Sequence, residues 1–347
     1  MNSRATGVAC GVLILLVGCE ARRSVPKPPD ASLHTVVQAE PTPARESIAG
    51  ASNRLGFRLL SQLPKTENAL LSPFAFTRAL VAQALIRGPN TAEGLAARLA
   101  SGRTAEELTQ GTDALHAAFL RHGAATSNRL RWDEDPSLNP ASAAVELSFE
   151  GHWHQRFERD RTRAADFHEA ATAATQIPYM HQTARLPYVE IDGVSVLELP
   201  YQREGFSMLI WLPRRELSLA ELVARVAESG GELGLESIKP RVIQLAMPKF
   251  RLRSETELAS AARTSSVAGD FHGVQRVELV VDEDGDEGEA GAGKVVGART
   301  IGPPPLVLRV DRPFVFAVRD RPSGSILFLG FIVSPGLGAG EVQTPPR

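Results

Sequence analysis

Cysteine is almost absent from this chain: Cys10 and Cys19 are its only two. Cys10 lies in a segment that reads as a removed leader, so no disulfide within the mature chain is possible and the fold must rest on its apolar core. An excess of charge of one sign is also missing. With 38 Lys and Arg against 40 Asp and Glu, the formal net charge is −2, which gives no electrostatic reason to expect nucleic acid as a partner. Aromatic residues are sparse at 6%, but 43% of the chain is apolar and 22% charged. That composition excludes wholesale disorder and supports a sizeable buried core. The apolar run from Gly7 to Val17 is too short to span a bilayer.

That run follows Arg4 and reads as a secretory signal over residues 1–18. Its end, Leu16-Val17-Gly18-Cys19, resembles the bacterial lipobox, which implies lipidation of Cys19 and an extracytoplasmic protein held on a membrane. The alternative is an ordinary signal with an incidental cysteine, and a secreted protein. Residues 19–46 carry Pro26, Pro28, Pro29, Pro41 and Pro43 in polar sequence and read as a flexible tether.

From Ile48 the apolar residues Leu55, Leu59 and Leu63 share one helical face. Ser72-Pro73 predicts a cap and first-turn proline for a second helix with Phe76, Leu80 and Ala84. Asn90 with Glu93 predicts the cap of a third helix, and Thr104 with Glu107 that of a fourth. After Asn139 short β-rich runs take over: 145–149, 194–199, 206–212, 242–247, 277–281, 314–318 and 326–333. Several are continuously apolar, as in strands covered on both faces. Helices followed by strands predict an α+β domain with at least two sheets, spanning about 47–336, and a flexible tail over 337–347.

The order of segments resembles the serpin family. NALLSPFAFTRALVAQALIRGPNTAEGLAARLA (68–100) is similar to the family's strand, Ser-Pro, buried helix and Asn-Thr-Ala turn. SFEGHWHQRF (148–157) with ADFH (165–168) resembles its Phe-x-Gly-x-Trp strand end and the loop after it. IPYMHQTARLPY (177–188), VLELPYQREGFSMLIWLP (196–213) and IQLAMPKFRL (243–252) follow in the family's order, and RPFVFAVRDRPSGSILFLGFIVSP (312–335) resembles its C-terminal hairpin. The resemblance implies N-terminal helices packed on multiple, mostly antiparallel sheets with an exposed reactive loop. It also implies a monomeric serine protease inhibitor, not an enzyme, with no cofactor or metal. Two departures stand out: between His122 and Ala143 only about twenty residues replace two strands and two helices of the family, and a smaller deletion precedes Val277. Both point to a trimmed main sheet.

By the same resemblance, residues 283–305 are the hinge and reactive loop. Glu283, Asp284 and Gly285 match the hinge's acidic pair and glycine, and the family's interval from Gly285 places the reactive bond at Arg299-Thr300. An arginine there suits a trypsin-like protease, whose pocket ends in a carboxylate. After cleavage the hinge would insert as a new strand into the main sheet and trap the enzyme. Alternation along that strand sends Asp286, Gly288, Ala290, Ala292 and Lys294 inward, with Glu287 outward. Small residues suit an inward path. Burying an unpaired Asp286 would cost several kcal/mol, and Gly288, Gly291 and Gly293 each cost about 0.5 to 1 kcal/mol in a strand. Insertion slow enough to leave a substrate or a non-inhibitory binding protein is the second reading.

Rival chemistries fail on single positions. Gly288 to Lys294 matches a phosphate-binding loop until Val295 stands where Ser or Thr must hold magnesium. Asp282, Asp284 and Asp286 alternate like calcium ligands, but Glu287 and Gly293 occupy the positions of the required glycine and glutamate. His152, His154 and His168 could suggest zinc, but the metalloprotease pattern that His168-Glu169 begins fails at Thr172 and they read as incidental surface histidines; no Gly-x-Ser-x-Gly turn is present.

Overall fold

In the computed structural model the described residues are 43–100, 102–124, 129–134, 142–169, 174–202, 205–264, 271–283 and 304–336. All belong to one unit, Gln38–Arg347. The leader, Cys19 and most of the tether lie outside the described residues.

Four helices open the fold: α1 (Pro43–Gln62), α2 (Pro73–Arg87), α3 (Pro89–Leu99) and α4 (Ala105–Ala124), with strand β1 (Ala69–Leu71) between the first two. The start of α2 follows from its sequence, since Ser72 Oγ accepts from the Ala75 N–H at 3.2 Å and Pro73 occupies the first turn, where a missing donor costs nothing. Thr104 and Glu107 form the expected reciprocal cap of α4. The third cap differs: α3 begins at Pro89 behind Gly88, with no side-chain cap, and Glu93 instead accepts from the Ala105 N–H at 3.2 Å, joining α3 to α4.

Strands β2 (Arg129–Glu134), β3 (Ser142–Glu150), β4 (Arg163–Phe167), β5 (Thr175–Ile191), β6 (Val194–Pro200) and β7 (Phe206–Pro213) follow, then helix α5 (Leu219–Glu228). Next come β8 (Lys239–Pro248), β9 (Phe250–Glu257), α6 (Leu258–Thr264), β10 (His272–Val281), β11 (Leu306–Arg309), β12 (Phe314–Asp320) and β13 (Ile326–Ile332). Residues 165–167, expected in a loop, are the end of β4, because they pair with β5. The run 206–212, apolar but for Ser207, became β7, and the continuously apolar run 326–333 became β13; every residue of both strands is buried.

The strands form two sheets. The larger has the order β1-β13-β12-β7-β6-β5-β8-β11, with β4 also on β5; the smaller has the order β2-β3-β10-β9. Most pairings are antiparallel, and β3/β10 and β8/β11 are parallel. Phe149, at the end of β3, packs edge-on against Tyr201 and Phe206 at 5.0 and 5.7 Å and reaches Phe328 on β13 at 6.0 Å, tying the small sheet to the large one. The fold is α+β, as the run of elements predicts.

Candidate functional site

The seam between β3 and β10 is the feature that a function can act on. The two strands run parallel in unbroken register from Ser142 opposite His272 to Glu150 opposite Val280. Parallel pairing is slightly weaker per residue than antiparallel pairing. A strand entering between them in the reverse direction would pair antiparallel with both. Beyond Val281, β10 leads through Asp282 and Glu283 into residues 284–303, and the chain is described again at Pro304 before β11. A segment that leaves β10 and turns back has the direction such a strand requires.

At that end of the seam the first two residues after β10 are held. The Trp153 indole N–H donates to the Asp282 carbonyl at 2.8 Å. Trp153 itself is stacked on Tyr201 at 4.4 Å and 13°, and meets Phe157 edge-on at 5.9 Å. Gly151 permits this arrangement, since a Cβ there would overlap the rings of Tyr201 and Phe149. The Phe149, Gly151, Trp153 spacing is therefore a packing requirement. Glu283 is only 7% exposed; its carboxylate accepts from Lys249 Nζ and from Thr162 Oγ1, each at 2.5 Å. Burial pushes Glu283 up, but these two hydrogen bonds and the Lys249 charge outweigh it and hold the carboxyl below its ordinary value. Neighbouring Asp282 is raised, by burial first and by the Glu283 charge as well, against the pull of Lys249. Adjacent carboxyls thus shift in opposite directions, because burial prevails at Asp282 while the hydrogen bonds from Lys249 and Thr162 prevail at Glu283.

The far part of β10 is tied to α2 by two glutamines. Gln275, fully buried, accepts from the Ser72 N–H at 2.8 Å and donates to the Ser72 carbonyl at 2.9 Å. Gln83 does the same for the backbone of His272, accepting from its N–H at 3.1 Å and donating to its carbonyl. Across the outer face, Glu278 pairs with Arg251 and Arg253, and Glu255 with Arg276, so β9 and β10 share a ladder of opposite charges.

The family comparison meets this geometry directly. The Serpin (serine protease inhibitor) family matches residues 142–265 and 271–335, which include β3, β10 and everything between them except 266–270. The chain belongs to the serpin family. Iripin-8 of Ixodes ricinus is 28% identical, with 86% of this chain and 96% of that protein covered. An uncharacterized serpin-like protein of Thermococcus kodakarensis is 29% identical over 60% of this chain, and human neuroserpin 29% over 54%; in both, the match spans about half of the relative, 54% and 52%. Among solved structures, the thermophilic serpin tengpin in its native state superposes with a TM-score of 0.69 at 15% identity, covering 84% of this chain and 94% of tengpin. Manduca sexta serpin-12 gives 0.66 at 15%, covering 83% and 99%. At such identities these structures speak for the serpin fold alone.

Of the residues expected at the site, Glu283 is described and sits at the head of the seam. Asp284, Gly285, Asp286, Glu287, Gly288, Ala290, Ala292, Arg299 and Thr300 lie outside the described residues, as does Cys19. The sequence reading missed Lys249, Thr162, Gln275 and Gln83. Trp153 stood in a recognised motif, without a role.

Proposed function

We propose that this serpin inhibits a trypsin-like serine protease by presenting Arg299-Thr300 as bait and inserting residues from about 284 onward between β3 and β10, while a lipid on Cys19 anchors the protein, outside the cytoplasm, to a bacterial membrane. The observation that carries the reading is the parallel β3/β10 seam, continuous over its whole register, from whose end the chain runs into the bait segment. Membership of a family described as serine protease inhibitors supports the partner class. The trypsin-like preference rests on Arg299 and the anchor on Cys19, both from sequence.

Before insertion can start, Glu283 must leave Lys249 and Thr162, or remain as the pivot about which the next residues turn. With Asp286 and the glycines behind it, this favours slow insertion, and cleavage without capture is the competing outcome. Mixing the protein with trypsin separates the two. A complex stable to boiling in detergent supports the trap; a clean cut after Arg299 supports a substrate; an uncut bond refutes the bait assignment. Asp286→Thr should raise the captured fraction, and an unchanged fraction would remove the hinge argument.

A further inference from the structure

The larger sheet presents a face that no function described so far uses. Residues paired across strands share a face, and on one face Ala246 stands between His181 and Arg309, Gln244 between Thr183 and Val307, and Val242 opposite Arg185. Arg163 joins them from β4, and Arg161 lies in the 3-10 turn just before it. The four arginines, Thr183, Gln244 and both valines are exposed, Val307 at 71%. No Asp or Glu occupies this face on β5, β8 or β11. Among the described residues Arg161 is paired with Glu158, Arg163 turns to the Asp160 and Thr162 carbonyls, and Arg185 and Arg309 have no carboxylate partner. The His181 pKa is lowered, first by burial and then by Arg309, Arg163 and Arg161, which records the convergence of positive charge.

We infer that this face is a second docking surface, one that receives an acidic surface patch of the protease engaged at the bait bond. Two observations select that occupant. The face is cationic around an apolar centre of Val242 and Val307, which fits a carboxylate-rimmed protein patch. Its edge strand β11 is also the strand into which the bait segment returns: six residues, Thr300 to Pro305, separate the bond from β11, and that chain spans at most about 21 Å. An enzyme seated on Arg299-Thr300 is thereby confined to the neighbourhood of the face. The inference rests on the bait reading of Arg299.

The test uses the full-length protein, with R185E/R309E beside it, against anionic and cationic trypsin. Both substituted positions are exposed, and an unchanged melting curve verifies the fold. Wild type should react faster with anionic trypsin at low salt, and the double variant should lose about tenfold in association rate with that enzyme alone, together with the salt dependence. Rates that ignore both the variant and the salt would overturn the surface while leaving the bait intact. If neither trypsin cuts after Arg299, the bait reading falls, and binding to anionic trypsin lacking its catalytic serine decides the face by itself: salt-sensitive binding lost in R185E/R309E upholds it, and no binding ends it. Charge-dependent capture of a sulfated polysaccharide with no preference between the trypsins would reassign the face to a glycan and refute the protease.

Discussion

Removing Lys249 should hurt this protein more than removing the carboxylate it serves. Glu283 is 7% exposed and its oxygens are taken by Lys249 and Thr162, while the Lys249 side chain is 36% exposed. In Glu283→Gln the freed ammonium can return to water and the amide still fills the space, so the loss is that of a charge-assisted hydrogen bond, discounted for solvent screening, or about 1.5 kcal/mol. In Lys249→Met the carboxylate stays buried without its counter-charge, keeping the Thr162 hydroxyl and its own backbone N–H, and the loss is about 3 kcal/mol. The double variant should fall near Glu283→Gln alone. Urea unfolding of the four proteins closes the cycle. The pH dependence carries the sign. In wild type the depressed Glu283 stabilises the fold above the ordinary carboxylate range, and this is lost as pH falls through its lowered value. In Lys249→Met burial dominates and Glu283 rises above its ordinary value, so its penalty is relieved as pH falls through that raised value. The two stability curves should therefore converge on acidification. Asp282 is half-buried and feels Lys249, so Asp282→Asn belongs in both backgrounds. Equal losses for the two single variants, or curves that stay parallel, would refute the anchor.

Two further substitutions probe how β10 and the sheets are held. Gln275→Ala strips both hydrogen bonds from the buried Ser72 backbone and should cost about 3 kcal/mol in urea unfolding; a loss within a few tenths of a kcal/mol would mean that water replaces the side chain. Gly330→Ala drives a Cβ into the Ala69 carbonyl and to 2.8 Å from the Phe316 ring. It should cost about 2 kcal/mol and speed amide exchange in residues 69–71, which pair with β13; unaltered exchange there would contradict the close approach.

What was legible in the sequence was local. Ser72-Pro73 and Thr104 with Glu107 satisfy orphan helix donors within one turn, and β13 announces burial by being apolar throughout, as β7 does with Ser207 alone breaking the run. Asn90 with Glu93 misled because α3 starts at Pro89, with Gly88 in the cap position two residues before Asn90, and Glu93 is drawn to the next helix. The 17-residue β5 went unread: Pro178 and Pro187 interrupt the donor ladder and argue against a long strand, yet β4, β6 and β8 along its length hold it. The α5 capping box at Ser218 and Glu221 was visible and passed over. At the site, Glu283 could be named from its motif, but Lys249 and Thr162 lie 34 and 121 residues away in the chain. No local pattern predicts such partners.

The shortened segment between α4 and β3 bears less on insertion than its size suggests. It still supplies β2, which pairs with β3 from Arg129 opposite Glu150 to Glu134 opposite Val145. The trimming falls on the side of β3 away from β10, whereas an entering strand meets only β3 and β10. Opening the seam breaks one parallel ladder and, once filled, leaves two antiparallel ones, a net gain of main-chain pairing. The two sides of the seam are not equivalent in their restraints: β10 is bound to α2 through Gln275 and Gln83 and to β9 through Glu278 and Glu255. If β10 is the fixed wall, β3 and β2 must move, and a shorter connection to α4 leaves them less to carry. The obstacle to insertion then lies in the Glu283 anchor and in the residues that follow it, above all Asp286, rather than in the reduced width of the sheet.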